Sequence, residues 1–269
     1  MMNTVHTTAQ FLILMRASCI SARRCLRKPP AVCCKIAKSI TEHATGRSLM
    51  KLIDLSQTIS PDMPRFSPRV PQPIVQPWMS HAESAASGRY EDCSCEVTEV
   101  KFVTSISTYI DSPYHFVPEG PAIHQLGLEQ CVLPGVCIDC RPLHNEQQVD
   151  VKLLKGVDVE GKAVLLCTGW DIYWGTDRYA HYPFLGRDAA EYLRDSGAKL
   201  VGVDYLAIDS QGDPKRPVHT TLLRAGILIV ENLTGLTQLI GTTFVFHAAP
   251  VKVQGAAAFP VRAYAVSPS

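Results

Sequence analysis

The 269-residue sequence lacks a long uninterrupted apolar segment. A membrane-spanning helix needs roughly 20 consecutive apolar residues, and no stretch approaches that length, so the sequence predicts no membrane span. The chain also has almost no net charge, at +1. Eight Lys and Arg residues and a single acid lie in residues 1–49, so the remainder is acidic overall. An acidic body without a basic stripe argues against a nucleic-acid partner.

Zinc-finger spacing is missing among the ten cysteines. The close pairs in the body of the chain are Cys93-x-Cys95 and Cys137-x-x-Cys140, and neither has a second Cys or His pair at the required distance. A Cys-x-x-Cys can instead be redox-active. Because no helix obviously follows Cys137, we expect these cysteines to be inert small hydrophobic residues near a strand.

The first 49 residues are basic and poor in acids, and we exclude them from the fold. Such a leader is typical of a mitochondrial transit peptide. The alternative is an unused upstream translation start, with Met50 as the true start, because a strand-like pattern begins there. We predict one domain over 50–269, since single α/β domains often exceed about 200 residues. The expected location is cytoplasmic, or mitochondrial if residues 1–49 are a transit peptide.

Strand and helix patterns alternate through the second half of the chain, which predicts an α/β protein. Residues 163–167 form an apolar run typical of a buried strand. A helix over 187–196 with Gly197 as its C-cap leads to a strand over 199–204. Pro217 opens a second helix that Gly226 closes, and a strongly apolar run over 227–233 follows. Six aromatic residues between 170 and 184 either wall a pocket or pack as a patch, and packing is favoured.

Prolines dominate residues 61–77, which excludes a helix interior or a central strand there. We therefore expect this segment to lie as an extended arm. Residues 96–103 alternate like a strand that leads into the stretch that follows.

Residues 105–116 are the stretch around which the chain is organised. Read as a strand, it places four polar side chains on one face: Ser105, Ser107, Tyr109 and Asp111. Ile106 and Ile110 fall on the other face. Pro113 ends the strand, and His115 follows the turn. A carboxylate and an imidazole leave one strand end together, a layout suited to metal-assisted or acid–base chemistry.

Two later segments each supply one more ionisable side chain. His219 lies in the first turn of the second helix, and Glu231 closes an apolar run. With Asp111 and His115 they form a plausible Zn²⁺ or Mn²⁺ site, in which His115 could act as general base and acid. The alternative is structural, in which His219 caps a helix and Glu231 pairs with an arginine.

The same stretch resembles the central motif of the cyclase family, His-x-Gly-Thr-His-x-Asp-x-Pro-x-His-Phe. This family includes bacterial kynurenine formamidases and isatin hydrolases. The positions that match are Thr108, Asp111, Pro113, His115 and Phe116. Ser105 and Tyr109 stand where the family has two metal-binding histidines, and Ser107 stands for the Gly. Residues 54–64, 168–174, 182–185, 217–219 and 231–233 are also similar to family segments.

The resemblance implies a swivelling β/β/α fold, with mixed sheets and flanking helices. It further implies a homodimer or homotetramer in which an N-terminal arm crosses between subunits. The implied activity is amide hydrolysis by a metal-activated water, with N-formylkynurenine of tryptophan catabolism as the leading substrate. The rivals are hydrolysis of a cyclic amide or lactone, and a non-catalytic protein that binds a small aromatic ligand.

Carried over residue by residue, the resemblance assigns His115 as the catalytic acid and base. It assigns Asp111, His219 and Glu231 to one divalent ion, Zn²⁺ or Mn²⁺, because a second ion would lose its ligands at Ser105 and Tyr109. Phe66 is the candidate for the family's substrate-facing aromatic residue, and the equal alternative is that it anchors the loop. Tyr109 could contact a small aromatic amide substrate, either as a phenol ligand of the metal or as a donor to a developing oxyanion.

Overall fold

The computed structural model describes residues 50–268, so the predicted leader lies outside the described residues. Within that range the chain forms thirteen strands, four α-helices and several short 3₁₀ turns. The strands are β1 Lys51–Asp54, β2 Ile74–Met79, β3 Val97–Lys101, β4 Tyr109–Asp111, β5 Val132–Asp139, β6 Gln148–Val149, β7 Ala163–Cys167, β8 Phe184–Leu185, β9 Leu200–Val203, β10 Leu228–Glu231, β11 Phe244–His247, β12 Ala258–Pro260 and β13 Tyr264–Ser267. The helices are α1 His81–Ala86, α2 Leu128–Cys131, α3 Arg187–Asp195 and α4 Pro217–Arg224.

Nine of the strands form one mixed sheet in the order β1-β13-β11-β5-β7-β9-β10-β4-β12. The four central strands β5, β7, β9 and β10 are parallel to one another. The strands outside them pair antiparallel on both sides. This architecture confirms the prediction of an α/β chain with mixed sheets, and it brings the carboxyl ends of the parallel strands to one edge.

Apolar side chains cover both faces of the central strands. One cluster packs the sheet against α3 and α4 and includes Val201 and Ile229, whereas the other includes Leu165 and Ile110. All five residues of β7 are fully buried. A parallel strand covered on both faces reads as a continuous apolar run, which explains why β7 is recognisable from sequence.

The two predicted helices form where the cap residues indicate. Gly197, with φ of +82°, lies just past the end of α3, in the left-handed region that glycine adopts without cost. Pro217 occupies the first turn of α4, and Gly226, with φ of +75°, follows its end. Between residues 50 and 268, no helix has both the length and the apolar composition needed to cross a membrane.

The proline-rich arm is shorter than predicted. Residues after position 73 form β2, which pairs with β3 as a separate two-stranded ribbon rather than entering the large sheet. Pro77 is tolerated inside β2 because the strand is exposed and the pairing is irregular between Pro77 and Met79. The strand predicted over 96–103 therefore exists, but it belongs to this ribbon.

The strand predicted from residue 105 begins only at Tyr109. Ser107 has φ of 55°, which no regular strand residue adopts. Ser105 and Ser107 therefore do not share a strand face with Tyr109 and Asp111. The alternation does hold within β4, because Ile110 packs into the core cluster on the opposite face.

The Cys137 and Cys140 thiols are free and buried. Burial raises the pKa of Cys140 to about 12, so the reactive thiolate is absent at neutral pH. This environment supports the interpretation of these cysteines as small core residues.

Gly135 provides a test of the packing between β5 and β11. It lies directly opposite Phe244, and a Cβ added at Gly135 would come within 2.0 Å of the Phe244 ring, which is 2% exposed. We expect Gly135→Ala to lower the free energy of unfolding by about 1–3 kcal/mol, because the ring has nowhere to move. Gly212→Ala is the matched control, since the nearest atom there is 3.9 Å away. Equal urea midpoints for the two variants would contradict this account.

Candidate active site

The antiparallel pairing of β4 with β10 brings three buried polar side chains to one face of the sheet. Tyr109 is the direct partner of Glu231, and Asp111 is the partner of Ile229. Because residues two apart share a face, the side chains of Tyr109, Asp111 and Glu231 lie on the same side. The Tyr109 hydroxyl donates a short hydrogen bond to Glu231 Oε2. Glu231 Oε1 accepts from the backbone N–H of Ile208 at 2.7 Å.

Asn232, just past the end of β10, forms hydrogen bonds with the residues directly before β4. Its Nδ2 donates to the carbonyl of Ser107 at 2.8 Å, and its carbonyl accepts from Thr108 Oγ1 at 2.6 Å. Its Oδ1 accepts from the Tyr179 hydroxyl at 2.7 Å. Ser107 and Asn232 both have positive φ, at 55° and 59°. These bonds hold two strained residues together and so fix the register that places Tyr109 opposite Glu231.

Asp209 positions His219 on the first turn of α4. Its Oδ1 accepts from the backbone N–H of Val218 at 2.8 Å, and its Oδ2 accepts from the backbone N–H of His219 at 3.0 Å. Oδ2 also lies 2.6 Å from His219 Nδ1. The opposite ring nitrogen, Nε2, therefore faces the other acids, 3.4 Å from Glu231 Oε1 and 3.8 Å from Asp111 Oδ2.

Negative charge accumulates around His219 and Asp111. Burial lowers the pKa of His219, but the Asp209 hydrogen bond and the charges of Glu231 and Asp111 raise it to about 10. Burial and the Glu231 charge raise the pKa of Asp111 well above its ordinary range, although His219 acts in the opposite direction. This environment therefore disfavours the ionised form of Asp111.

Both oxygens of Asp111 are buried, and neither has a hydrogen-bond partner among residues 50–268. A buried carboxylate oxygen without a partner costs free energy. Asp111, His115 and His219 each offer one ligand atom, and these atoms all lie within 4.8 Å of one another. Carboxylate and imidazole are ligands that Zn²⁺ and Mn²⁺ accept. The residues present therefore fit a divalent cation.

His115 lies on the more open side of this cluster. Its Nε2 is 3.8 Å from Asp111 Oδ1, and its side chain is 31% exposed. Burial and the nearby His219 lower the pKa of His115, so the imidazole is neutral at neutral pH and can accept a proton. Phe116 stacks against His219, with ring centroids 4.7 Å apart, and closes the cluster on that side.

The structure brings together five of the six side chains that the sequence predicted. Asp111, His115, His219, Glu231 and Tyr109 converge on one face of the sheet, whereas Phe66 is not among them. The Phe66 side chain is half-exposed, and its ring lies under the guanidinium of Arg216 at 5.4 Å.

Two roles differ from the sequence predictions. Tyr109 does not present a free hydroxyl to a substrate, because that hydroxyl already binds the partner residue of Tyr109 across the strand pair. The structural alternative for Glu231 is not seen in the described range: its oxygens contact Tyr109, Ile208 and His219, and no arginine among residues 50–268 pairs with it. The helix cap of α4 is Asp209 and not His219.

Sequence reasoning missed three residues around this cluster. Asp209 lies in the acidic loop between positions 204 and 213, where the sequence pattern assigns no role to the carboxylates. Tyr182 is one of the aromatic residues expected to pack. Arg216 lies directly before Pro217 at the start of α4, and apart from its charge nothing in the sequence pattern singles it out.

Comparisons with known proteins agree with this geometry. Residues 53–210 match the family model described as putative cyclase. The chain is 29% identical over 216 residues to the kynurenine formamidase of Geobacillus thermodenitrificans, covering 78% of this chain and 95% of the relative. It is 27% identical over 211 residues to the kynurenine formamidase of Bacillus thuringiensis strain Al Hakam, with the same coverage of 78% and 95%.

Solved structures share the fold. An isatin hydrolase bound to the product analogue thioisatinate has a TM-score of 0.71 at 18% identity, covering 90% of this chain and 100% of that chain. At that identity the likeness concerns the fold alone. A potential metal-dependent hydrolase with cyclase activity has a TM-score of 0.67 at 26% identity, covering 82% of this chain and 99% of that chain.

Asp209 is predicted to stabilise both the fold and the metal site. We expect Asp209→Ala to lose about 0.5–2 kcal/mol from the helix cap, and a further 1–3 kcal/mol, roughly, from leaving His219 unpaired. Affinity for Zn²⁺ should fall about 10–100-fold, because the carboxylate orients the imidazole. Urea unfolding and titration calorimetry measure the two effects. Asp195→Ala, at an exposed ion pair with Arg194, is the control, and similar losses there would refute the assignment.

Proposed function

The chain belongs to the cyclase family, and we propose that it hydrolyses the carbon–nitrogen bond of an aryl formamide, with N-formylkynurenine as the substrate. The kynurenine formamidases to which it is similar support this choice of bond. The observation that carries the proposal is the buried Asp111 carboxylate, which lies between two imidazoles without a hydrogen-bond partner in the described range. The isatin hydrolases support the fold and no choice of substrate.

Asp111, His219 and Glu231 are the residues that we propose would hold a divalent ion, Zn²⁺ or Mn²⁺. The three ligand atoms that lie within 4.8 Å of one another belong instead to Asp111, His115 and His219, so His115 competes with Glu231 for the third ligand position, and the variants below decide between them. The His219 imidazole presents Nε2 to both carboxylates, while Asp209 holds Nδ1. The Tyr109 hydroxyl holds Glu231 Oε2, and the Ile208 N–H holds Oε1, the oxygen that faces His219. When bound, such an ion supplies Lewis-acid activation of water and of the amide carbonyl.

His115 performs the proton transfers in this proposal. Its imidazole is neutral at neutral pH and partly exposed, so it can take a proton from the water that attacks the formyl carbon. The protonated imidazole then gives that proton to the departing aromatic nitrogen as the carbon–nitrogen bond breaks. The products are formate and an aromatic amine, and the imidazole returns to its neutral state.

The proposed activity can be measured directly on the full chain. We expect hydrolysis of N-formylkynurenine to kynurenine, loss of that activity after removal of metal with a chelator, and its return with Zn²⁺ or Mn²⁺. Kynurenine absorbance follows the reaction. Activity that survives complete removal of metal would contradict the metal-assisted mechanism, and the absence of activity with every added ion would contradict the formamidase proposal.

Two variants separate proton transfer from metal binding. His115→Asn should lower kcat by about 10²–10⁴-fold, the usual contribution of a general acid–base residue, while the affinity for Zn²⁺ stays unchanged. Glu231→Gln should lower that affinity. Titration calorimetry and rate measurements on both variants give the comparison. If His115→Asn weakens Zn²⁺ binding as much as Glu231→Gln does, His115 is a ligand and its assigned role is wrong.

A second copy of the chain is the proposed partner of the β2–β3 ribbon. Its exposed apolar side chains are Ile74, Val75, Trp78, Val97 and Val100. A two-stranded ribbon is marginally stable alone in water, and its exposed apolar side chains, among them the Val75–Val100 cross-strand pair on one face, offer surface that a second copy would bury. These features support the homodimer or homotetramer that the sequence resemblance implied.

Charged substitutions on the ribbon should change the oligomeric state. Trp78 is 70% exposed, so Trp78→Lys together with Val100→Lys should lower the mass measured by light scattering, because lysines disfavour an apolar contact. Leu128→Lys, at a residue of 69% exposure on α2, is the matched control and should keep the wild-type mass. An unchanged mass for the ribbon variant would exclude this surface as the interface.

A further inference from the structure

Within the described part of the chain, Arg216 is a cation without an acidic partner, on the segment that leads into His219 of the candidate active site. It lies directly before α4, three positions before His219, and its side chain is half-buried. Its Nη1 donates to the carbonyl of Ser210 at 3.3 Å. Among residues 50–268, no carboxylate forms an ion pair with its guanidinium. Several of the five N–H donors of this group are therefore available to a ligand.

The backbone at Arg216 is held in an unfavourable conformation. Its φ and ψ are 45° and 58°, in the left-handed region, and the residue precedes a proline, which disfavours that region further. The N–H and the hydroxyl of Thr220 both donate to the Arg216 carbonyl, at 3.0 and 2.7 Å, and keep it in place. Strain of this kind occurs at ligand-binding positions, where the surrounding structure compensates its cost.

Tyr182 supplies a second unused donor next to Arg216. The residue is 3% exposed, and its buried hydroxyl has no hydrogen-bond partner in the described part of the chain. Its ring stacks on Tyr205, with centroids 6.1 Å apart and planes at 12°, which fixes its direction. Burial and the Glu231 charge raise the pKa of Tyr182 to about 12, and the neighbouring Arg216 opposes them. The hydroxyl therefore stays protonated at neutral pH, and the charges of both Glu231 and Arg216 act on it.

Phe66 forms the outer wall of the same corner. The Arg216 guanidinium carbon lies 5.4 Å from the centre of the Phe66 ring, within cation–π distance. Because Phe66 is 40% exposed, this wall faces solvent and can contact a ligand that enters from outside. The stacking limits the rotation of the guanidinium, so fewer side-chain conformations are lost when an anion binds.

We propose that Arg216 and Tyr182 form a carboxylate-binding subsite next to the Asp111–His219–Glu231 cluster, so the chain takes aryl amide substrates that carry a carboxylate. A guanidinium binds a carboxylate through parallel charge-assisted hydrogen bonds, and the Tyr182 hydroxyl adds a third donor. The anchored carboxylate holds the rest of the substrate against the Phe66 ring and directs the amide towards His115. The inference rests on the proposed amide hydrolysis and specifies its substrate class.

The test compares two substrates that differ in the amino-acid group that bears the carboxylate. N-formylkynurenine carries it, and 2-formamidoacetophenone has the same aryl formamide and ketone without it. We expect Arg216→Met in the full chain to lower kcat/KM for N-formylkynurenine about 10–100-fold, the loss for a charged hydrogen bond of about 1.5–3 kcal/mol. The loss should appear mainly in KM. The rate with 2-formamidoacetophenone should change less than about twofold.

Three further variants isolate the side chains responsible. Tyr182→Phe should cause a smaller loss, of roughly three- to tenfold, with N-formylkynurenine alone. Arg216→Gly removes the guanidinium and also relieves the strained backbone. It should therefore raise the melting temperature and still lose the preference for N-formylkynurenine over 2-formamidoacetophenone. Lys215→Met removes the adjacent exposed positive charge and should leave kcat/KM unchanged for both substrates.

The outcomes distinguish this inference from the proposed function. Equal losses with both substrates, or no loss with Arg216→Met, would overturn the subsite while the formamidase proposal stands. If the wild type hydrolyses neither substrate, the formamidase proposal fails, and binding then tests the subsite alone. Titration calorimetry would then measure the affinities of the wild type and of Arg216→Met for kynurenine and for 2-aminoacetophenone. A loss of affinity for kynurenine alone would support the subsite. Equal affinities of the two proteins for kynurenine would refute it.

Discussion

The pairing of β4 with β10 is the constraint on which the site depends. It places Tyr109 opposite Glu231 and leaves Asp111 on the same buried face, so two carboxylates lie in a region without solvent. Glu231 is satisfied by the Tyr109 hydroxyl and the Ile208 N–H. Asp111 has no such partner among the described residues. The fold therefore stabilises one carboxylate with its own donors, whereas the other is the group beside which we propose a bound cation.

The neighbouring elements serve this pairing. Asn232 and Ser107 adopt positive φ values and are held together by side-chain hydrogen bonds, which end β10 and start β4 at matching positions. Asp209 caps α4 and, with the same carboxylate, turns His219 towards the sheet. Helix capping and ligand orientation are thus performed by one side chain. Local stability and site geometry are consequently coupled, as is common where histidine binds metal.

Tyr109 shows how a residue other than histidine can hold Glu231 in place, by a hydrogen bond from its phenol. The resemblance to the cyclase family places a metal-binding histidine at this position, whereas the phenol here is a hydrogen-bond donor buried against Glu231. A neutral donor compensates a carboxylate by hydrogen bonding without adding a charge. The charge of Glu231 therefore remains in the cluster and, together with burial, raises the pKa of Asp111. Arg216 and Tyr182 then place further donors on the substrate side.

Much of the fold was predictable from sequence because its signals are local. The continuous apolar run of β7, the glycine after α3 and the proline at the start of α4 each follow from burial or backbone conformation at a few neighbouring positions. The motif around Asp111 and His115 likewise pointed to the candidate site. Local patterns failed at Ser107, where a strained residue held by the distant Asn232 interrupts the predicted strand.

The sequence by itself determined the α/β class, the main elements and the four ionisable residues from which the site is built. Only the tertiary structure decided how they are partnered: Tyr109 with Glu231, Asp209 with His219, and Arg216 with the Phe66 ring. It also left Asp111 near two imidazoles but hydrogen-bonded to none of the described residues. The reason is that burial and hydrogen bonding depend on contacts between segments far apart in the chain. Composition and periodicity describe each segment alone and carry no information about which side chains from different segments will meet.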